Sequence, residues 1–339
     1  MDPFKRRKLG TSDVMVPQLG FGGAPLGELY VKITEAESLA TMAAAWDGGI
    51  RYFDTAPWYG RGLSEHRIGA GVYDKPRDEY LISTKVGRVL HAPLDHGWRP
   101  TDWAGGLPMA LSFDYGYDAV MRSFEDSLQR LRVTRLDILV IHDLDYWYHQ
   151  TEPRVGAYLN QLATGGYRAL SELKASGAIG AIGAGINETG MIPRFLDLVD
   201  LDFFLVALRY TLGEQSALES EIPKASEKGI GFIIGGVFSS GLYATGPIAG
   251  AKFNYQDATP AELERAGKVK AVCDRHGVPI AAAALQFPLH HPNVAAVIPG
   301  GFKPEHVAAN IEAMKHPVPD ALWAELKHEG LIRADAPTP

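Results

Sequence analysis

Four residues of this chain, Asp54, Tyr59, Lys85 and His142, carry side chains suited to moving a proton at a carbon–oxygen bond. A phenol titrates near 10 and exchanges protons poorly at neutral pH. A buried ammonium beside it favours the phenolate, and a carboxylate keeps that ammonium charged and in place. An imidazole next to them orients the substrate oxygen by hydrogen bonding. Such a set handles the hydroxyl or carbonyl proton while a redox cofactor handles the hydride.

Their positions suit a shared site. Asp54 closes the run Tyr52-Phe-Asp54, and Tyr59 lies five residues on in the loop Thr55–Gly60. Lys85 ends Tyr80–Lys85, and His142 follows the apolar run Leu136–Ile141. Adjacent parallel strands lie about 4.8 Å apart, so three neighbouring strand ends open on one mouth.

The surrounding sequence supplies such strands by alternation. Leu19–Gly22 reads as a strand, and Thr34-Glu-Ala-Glu37 has the spacing of a capping box opening a helix that ends near Gly48-Gly49. Short β-branched runs then alternate with helical segments as far as Val294–Ile298, the eighth strand, and a last pair of helices follows. Eight strand–helix units without a linker predict a (β/α)8 TIM barrel, α/β in class, as one domain over 1–339. A doubly wound sheet needs a phosphate loop opening its first helix, and none follows Leu19–Gly22. The glycine-rich run Gly177–Gly185 leads into a strand instead of following one, so it is no dinucleotide fingerprint. Two segments read as irregular insertions rich in aromatics: Val86–Tyr115 with Trp98, Trp103, Phe113 and Tyr115, and Asp143–Leu162 with Tyr146, Trp147 and Tyr148. Both follow strand C-terminal ends, where barrel enzymes keep their sites.

Bulk properties narrow the partners. The chain has 339 residues, 46% hydrophobic and 22% charged, with a net charge of −7. That balance speaks against nucleic acid or an anionic membrane as partner, and Lys5-Arg-Arg-Lys8 reads as a solvated end. No run approaches the ~20 apolar residues of a membrane span. No apolar run follows the basic start as in a secretory leader. The single Cys273 permits neither an internal disulfide nor a multi-cysteine metal site. The expectation is a cytoplasmic protein acting on a small molecule without a metal.

At the level of motifs, Gly49-Ile-Arg-Tyr-Phe-Asp-Thr-Ala-Pro-Trp-Tyr-Gly60 with Ser64-Glu65 and Gly69, Ile82-Ser-Thr-Lys-Val86, and Ser127-Leu-Gln-Arg-Leu131 leading to His142 resemble the signature of the aldo-keto reductase superfamily. The resemblance runs from Arg7 to Asn310. It implies a barrel with an N-terminal hairpin and long loops at its C-terminal face. It also implies Tyr59 as acid/base, Lys85 as its tuner, Asp54 and His142 in support, and a nicotinamide cofactor.

For that cofactor, the resemblance points to Gly22, to Tyr210 as the ring stacked on the nicotinamide, and to Phe238, Ser239, Ser240, Gly241 and Leu242 as the pyrophosphate loop. Ile298, Gly300, Gly301, Phe302 and Asn310 match the adenosine end. Where the family has a Ser-Asn pair for the carboxamide, this chain has Gly185 and Ile186, with Asn187 one residue later as a partial substitute; Ala207 stands where the family has glutamine. Gly300 and His306 occupy the positions of the lysine and arginine that bind a 2′-phosphate, with Lys303 out of register, which favours NAD over NADP.

His142-Asp-Leu144, Ile182–Asn187 and Arg209–Leu212 resemble a bacterial branch of sugar and pyridoxal dehydrogenases. That implies oxidation of a cyclic hemiacetal, an aldose such as L-fucose or L-galactose, to its lactone. Pyridoxal oxidation and general aldehyde or ketone reduction are the alternatives, ahead of a cofactor-binding regulatory subunit. Trp58, His142, Asp143, Tyr146 and Trp147 are the expected substrate contacts, with His91 and His96 nearby.

Overall fold

The structure is a computed structural model and describes residues 1–95 and 97–339. The chain opens with an antiparallel hairpin, β1 (Arg6–Lys8) and β2 (Met15–Pro17). The first barrel strand, β3 (Phe21–Gly22), is short, and α1 (Glu35–Asp47) follows it. Helix α1 starts where the sequence placed it: Thr34 accepts from the Glu37 amide, and the Glu37 carboxylate accepts from Thr34.

Next come β4 (Tyr52–Asp54), α2 (Leu63–Val72) and β5 (Leu81–Val86). A second hairpin, β6 (Arg88–His91) and β7 (Ala110–Phe113), fills much of Val86–Tyr115, and α3 (Tyr117–Leu131) leads to β8 (Ile138–His142). The segment read as a second irregular insertion folds as α4 (Tyr146–His149) and α5 (Glu152–Gln161), and α6 (Tyr167–Ala175) comes after it. Helix α4 escaped sequence reading because it is a single turn held by the Asp145 cap, too short for a periodic pattern.

Strand β9 (Ala181–Ile186) precedes α7 (Met191–Leu196), and β10 (Phe203–Ala207) precedes α8 (Glu221–Glu227). After β11 (Gly231–Gly235) come α9 (Leu242–Thr245) and a small hairpin, β12 (Lys252–Phe253) with β13 (Gln256–Asp257). Helices α10 (Pro260–Arg275) and α11 (Ile280–Gln286) lead to β14 (Val294–Val297), and α12 (Pro304–Lys315) and α13 (Asp320–His328) finish the chain.

The eight parallel strands run in the order β14-β11-β10-β9-β8-β5-β4-β3. The sheet closes on itself through bridges Leu19↔Val297 and Gly22↔Gly300, with the Gly20 amide donating to Val297 O (2.9 Å) and the Gly22 amide to Pro299 O (3.0 Å). This is the predicted (β/α)8 barrel. Its interior holds Tyr52, Ile138, Val140, Ala181, Phe203, Leu205, Ile233 and Ile298, and Leu9 and Val16 of the N-terminal hairpin plug its base. A second apolar layer, including Phe53, Ile82, Leu139, Ile141 and Ile182, joins the strands to the helices.

Alternation along a strand places the site. Side chains two apart share a face, so Tyr52 puts Asp54 inside, Leu81 puts Ser83 and Lys85 inside, and Ile138 with Val140 puts His142 inside. The register Asp54↔Ser83, Lys85↔Val140 and His142↔Gly185 brings these positions level at the C-terminal ends.

Candidate active site

Lys85 and Asp54 form a buried pair, with side chains 1% and 2% exposed. Lys85 Nζ donates to Asp54 Oδ2 (2.8 Å) and to the Thr55 carbonyl (2.7 Å). The other Asp54 oxygen accepts from Ser83 Oγ (2.7 Å), itself 3.0 Å from the Tyr52 hydroxyl. The ammonium lies 4.6 Å from the Tyr59 ring centroid, and the His142 ring stands edge-on to Tyr59 at 5.8 Å. The four residues singled out by type therefore meet in one place.

Their charge states differ in part from expectation. Burial, and then the negative charge of Asp54, push the Tyr59 phenol well above its ordinary value. Lys85 is not among the leading influences on that phenol, its ammonium being bound to Asp54 at 2.8 Å. Tyr59 thus rests protonated. Burial, with Arg88 and Lys85 nearby, drives His142 well below the usual imidazole range, so it rests neutral.

Beside the tetrad lies a polar cluster that sequence reading saw only in part. His142 Nε2 is 3.2 Å from Asp143 Oδ2, which also accepts from Arg88 Nη2 (2.5 Å). Asn187 Nδ2 donates to Asp143 Oδ1 (2.7 Å) and to Asp145 Oδ2 (3.2 Å). Burial pushes the Asp143 carboxyl up to about 6 despite Arg88. The Arg88 guanidinium is itself stacked among Tyr148 (4.1 Å), Trp58 (4.4 Å) and Phe113 (5.0 Å). Gly87 makes this possible: at φ +106° it turns the chain from β5 into β6, and a Cβ there would lie 2.2 Å from the Tyr115 ring. The Tyr115 hydroxyl donates to the His142 carbonyl (2.8 Å) and contacts His149 Nε2 (3.1 Å).

The expected substrate contacts divide. Trp58 stands at the mouth against Trp103 (5.5 Å), which also touches Tyr59 (6.1 Å). Trp147 lies 5.9 Å from the Arg209 guanidinium. Tyr146 turns outward, its hydroxyl bound to Glu152 and Arg194 on the surface. It is Tyr148 of this one-turn helix that faces Arg88 and Asp143, and their surroundings raise its phenol to about 12. A single turn gives no phase from which sequence could choose between them. His91 is exposed and lines an outer cavity with Arg122 and Asp126; His96 lies outside the described residues. Tyr255, at the tip of the β12–β13 hairpin, was not foreseen; its amide donates to Ser240 Oγ (2.8 Å), and its phenol feels Tyr148 and Asp143.

Among the expected cofactor contacts, Tyr210 lies in the core. Its ring is fully buried against Phe287 (5.4 Å) and His291 (5.9 Å), leaving no face for a second ring. Half-buried Phe238, just beyond β11, is the ring with a face to offer. Ser239, Ser240 and Gly241 follow it with φ of 48°, 63° and 106°, and a Cβ on Gly241 would meet nothing within 4 Å, so this turn has room for a phosphate. Leu242 behind it is core. Gly22, Ile298 and Gly300 line the closure of the barrel, with buried Gly301 alongside. His306 stands against Phe302 (4.6 Å), and burial and Lys303 lower its imidazole. Lys303 is exposed at the start of α12, and Asn310 is half-buried within that helix. The Asn187 amide hydrogens are taken by Asp143 and Asp145, which leaves its Oδ1 as the atom able to meet a carboxamide. These residues fit a nicotinamide dinucleotide.

Residues 18–329 match the aldo/keto reductase family. The chain belongs to that family. It is 40% identical to the pyridoxal 4-dehydrogenase of Microbacterium luteolum, over 97% of this chain and 98% of that protein. It is 37% identical to the D-threo-aldose 1-dehydrogenase of a Pseudomonas species, over 96% of each. An aldo-keto reductase structure from Bacillus halodurans superposes with a TM-score of 0.75 at 24% identity, covering 98% of both chains. The protein is an oxidoreductase of a family that uses nicotinamide cofactors and acts on small molecules. Among the described residues, no helix is long and apolar enough to cross a membrane.

Proposed function

We propose that this aldo-keto reductase oxidises the ring hydroxyl of a small cyclic hemiacetal to a lactone, with NAD as the preferred cofactor. The observation that carries the reading is Asp143, a buried carboxylate 3.2 Å from His142 Nε2. A hydroxyl substrate brings a donor to that acceptor, whereas the oxygen of a simple aldehyde or ketone brings none. Two relatives above 35% identity, a pyridoxal and an aldose dehydrogenase, support it, because both aldehydes exist as cyclic hemiacetals.

In this mechanism Trp58 and Tyr148 wall the substrate ring, His142 faces its reacting hydroxyl, and Asp143 accepts from a neighbouring hydroxyl of the substrate. Oxidised nicotinamide, when bound, supplies the hydride acceptor and a positive charge. Tyr59, in its phenolate form, takes the hydroxyl proton and becomes the phenol, and Lys85, anchored by Asp54, holds a cation against that phenolate. When the cofactor binds, Phe238 would offer the nicotinamide a stacking face, Asn187 Oδ1 would meet its carboxamide, and the turn Ser239–Gly241 would hold the pyrophosphate.

NAD is favoured because a side chain at Gly300 would meet the Pro25 ring at 2.7 Å, which excludes a phosphate-binding lysine there, and because His306 is held uncharged. Turnover of L-fucose, L-galactose, D-arabinose, pyridoxal and simple aldehydes, with both cofactors and in both directions, tests the reading. Lactone formation from a sugar or from pyridoxal supports it. Reduction of simple aldehydes with no hemiacetal oxidation replaces it with a general reductase.

A further inference from the structure

The mechanism above uses Asp143 and leaves Arg88 without a task, although a buried arginine between aromatic rings is costly to keep unless its charge matters. We propose that Arg88 is a positioning residue whose fixed charge keeps the His142–Asp143 pair one proton short, so that the substrate meets a neutral imidazole and an ionised carboxylate together.

The geometry makes Arg88 the arbiter of that pair. One oxygen, Asp143 Oδ2, is shared by Arg88 Nη2 at 2.5 Å and His142 Nε2 at 3.2 Å, so the guanidinium has the shorter contact. The Arg88 side chain is 2% exposed, and three rings from three segments fix its plane. It stays charged at any working pH.

The other charges around the pair do not replace it. Lys85 at the end of β5 also faces His142, but its ammonium is bound to Asp54. Arg209, beyond β10, is tied to the Asn187 carbonyl (2.7 Å). Asp145, just before α4, adds negative charge beside Asp143. Tyr59 after β4, Tyr115 after β7, Tyr148 in α4 and Tyr255 on the β12–β13 hairpin all hold their phenols above the ordinary value and stay neutral. Without Arg88, a buried carboxylate beside an imidazole would take up a proton, on one partner or the other.

The inference rests on the placement of His142 in the proposed site and not on which hemiacetal is oxidised. Its readout is therefore taken in two ways: the imidazole nitrogen shifts of His142 by NMR in the full chain, and the pH profile of kcat/KM for oxidation. In the parent protein the expected titration lies near 6, the value to which burial pushes Asp143. In Arg88→Met that titration moves up by at least one unit, so that at pH 7 about half or more of the pair carries the extra proton, against about a tenth in the parent, and kcat/KM there falls at least about twofold. Arg88→Lys, which keeps the charge, leaves it in place.

Asp143→Asn removes it, and Arg88→Met/Asp143→Asn lacks the new titration of the single variant. An unmoved titration in Arg88→Met, or a double variant that titrates like Arg88→Met, overturns the proposal. Should Arg88→Met fail to fold, Asp143→Asn and Arg88→Lys decide it: a titration near 6 that survives Asp143→Asn, or one that moves in Arg88→Lys, overturns it. Loss of all turnover with the NMR titrations as expected would fall on the proposed substrate class instead.

Discussion

Replacing either partner of the Lys85–Asp54 pair should show that the catalytic ammonium is held by one carboxylate and not by solvent. Both side chains are almost wholly buried and lie 2.8 Å apart. Breaking such a pair from one side leaves an uncompensated buried charge and costs about 3–5 kcal/mol. At about 2.1 cal/mol/K per residue, a 339-residue chain has an unfolding entropy near 0.7 kcal/mol/K, so each kcal/mol moves Tm by about 1.4 °C. Asp54→Asn and Lys85→Met are each expected to lower Tm by about 4–7 °C in a calorimetric scan at matched concentration.

The double variant removes both charges, so its loss should fall short of the summed single losses by at least about 2 kcal/mol. Activity is lost in all three, which makes stability the informative readout. Single variants within 1 °C of the parent, or losses that simply add, would refute the idea of a desolvated, mutually dependent pair.

Three further outcomes follow from the site. Because burial and Asp54 hold the Tyr59 phenol well above 10, the fraction of phenolate grows tenfold per pH unit throughout the range the protein survives. Above the Asp143 limb near 6, the oxidative rate should therefore climb toward alkaline pH without a plateau below pH 9, and Tyr59→Phe should abolish it; a plateau at neutral pH would show a phenol already lowered. Tyr115→Phe strips a hydrogen bond from the His142 carbonyl and a partner from His149, with an expected loss of about 1–3 kcal/mol in urea unfolding, and an unchanged midpoint would contradict it. Gly300→Lys is expected to lower Tm without improving NADP binding, since its Cβ meets Pro25; tighter NADP binding in a calorimetric titration would show that the phosphate position is open after all.

Much of this was legible in the residues. The strand ends at Asp54, Lys85 and His142 could be read because period-2 alternation and a polar residue closing an apolar run are both local signals. The capping box at Thr34–Glu37 was equally local. The polar cluster was legible only from one side: Asp143 sits next to His142 in sequence, but Arg88 reads as one more basic residue after a strand until the β6–β7 hairpin folds it inward. Tyr148 and Tyr146 are indistinguishable in a one-turn helix. Tyr255 arrives at the mouth from more than a hundred residues away, on a strap whose position depends on tertiary contact with Ser240. Tyr210 matches the family pattern as a stacking ring, but no local signal tells that the fold packs its ring against Phe287 in the core.

The closure of the barrel carries a consequence for how the protein breathes. Where β8, β9 and β10 share long ladders, β3 has two residues and meets β14 through isolated bridges and a few amide bonds at Gly20, Gly22 and Val297. That seam is the thinnest stitching in the wall, and three of the expected cofactor contacts, Gly22 with Ile298 and Gly300 of the adenosine end, lie along it. A dinucleotide resting there would sew the two edges together, and its binding energy would add to the resistance of the whole ring against opening. The exchange rates of the Gly20 and Gly22 amide hydrogens then act as a gauge of cofactor occupancy, slowing as the seam is sewn while those of β8 to β10 change less.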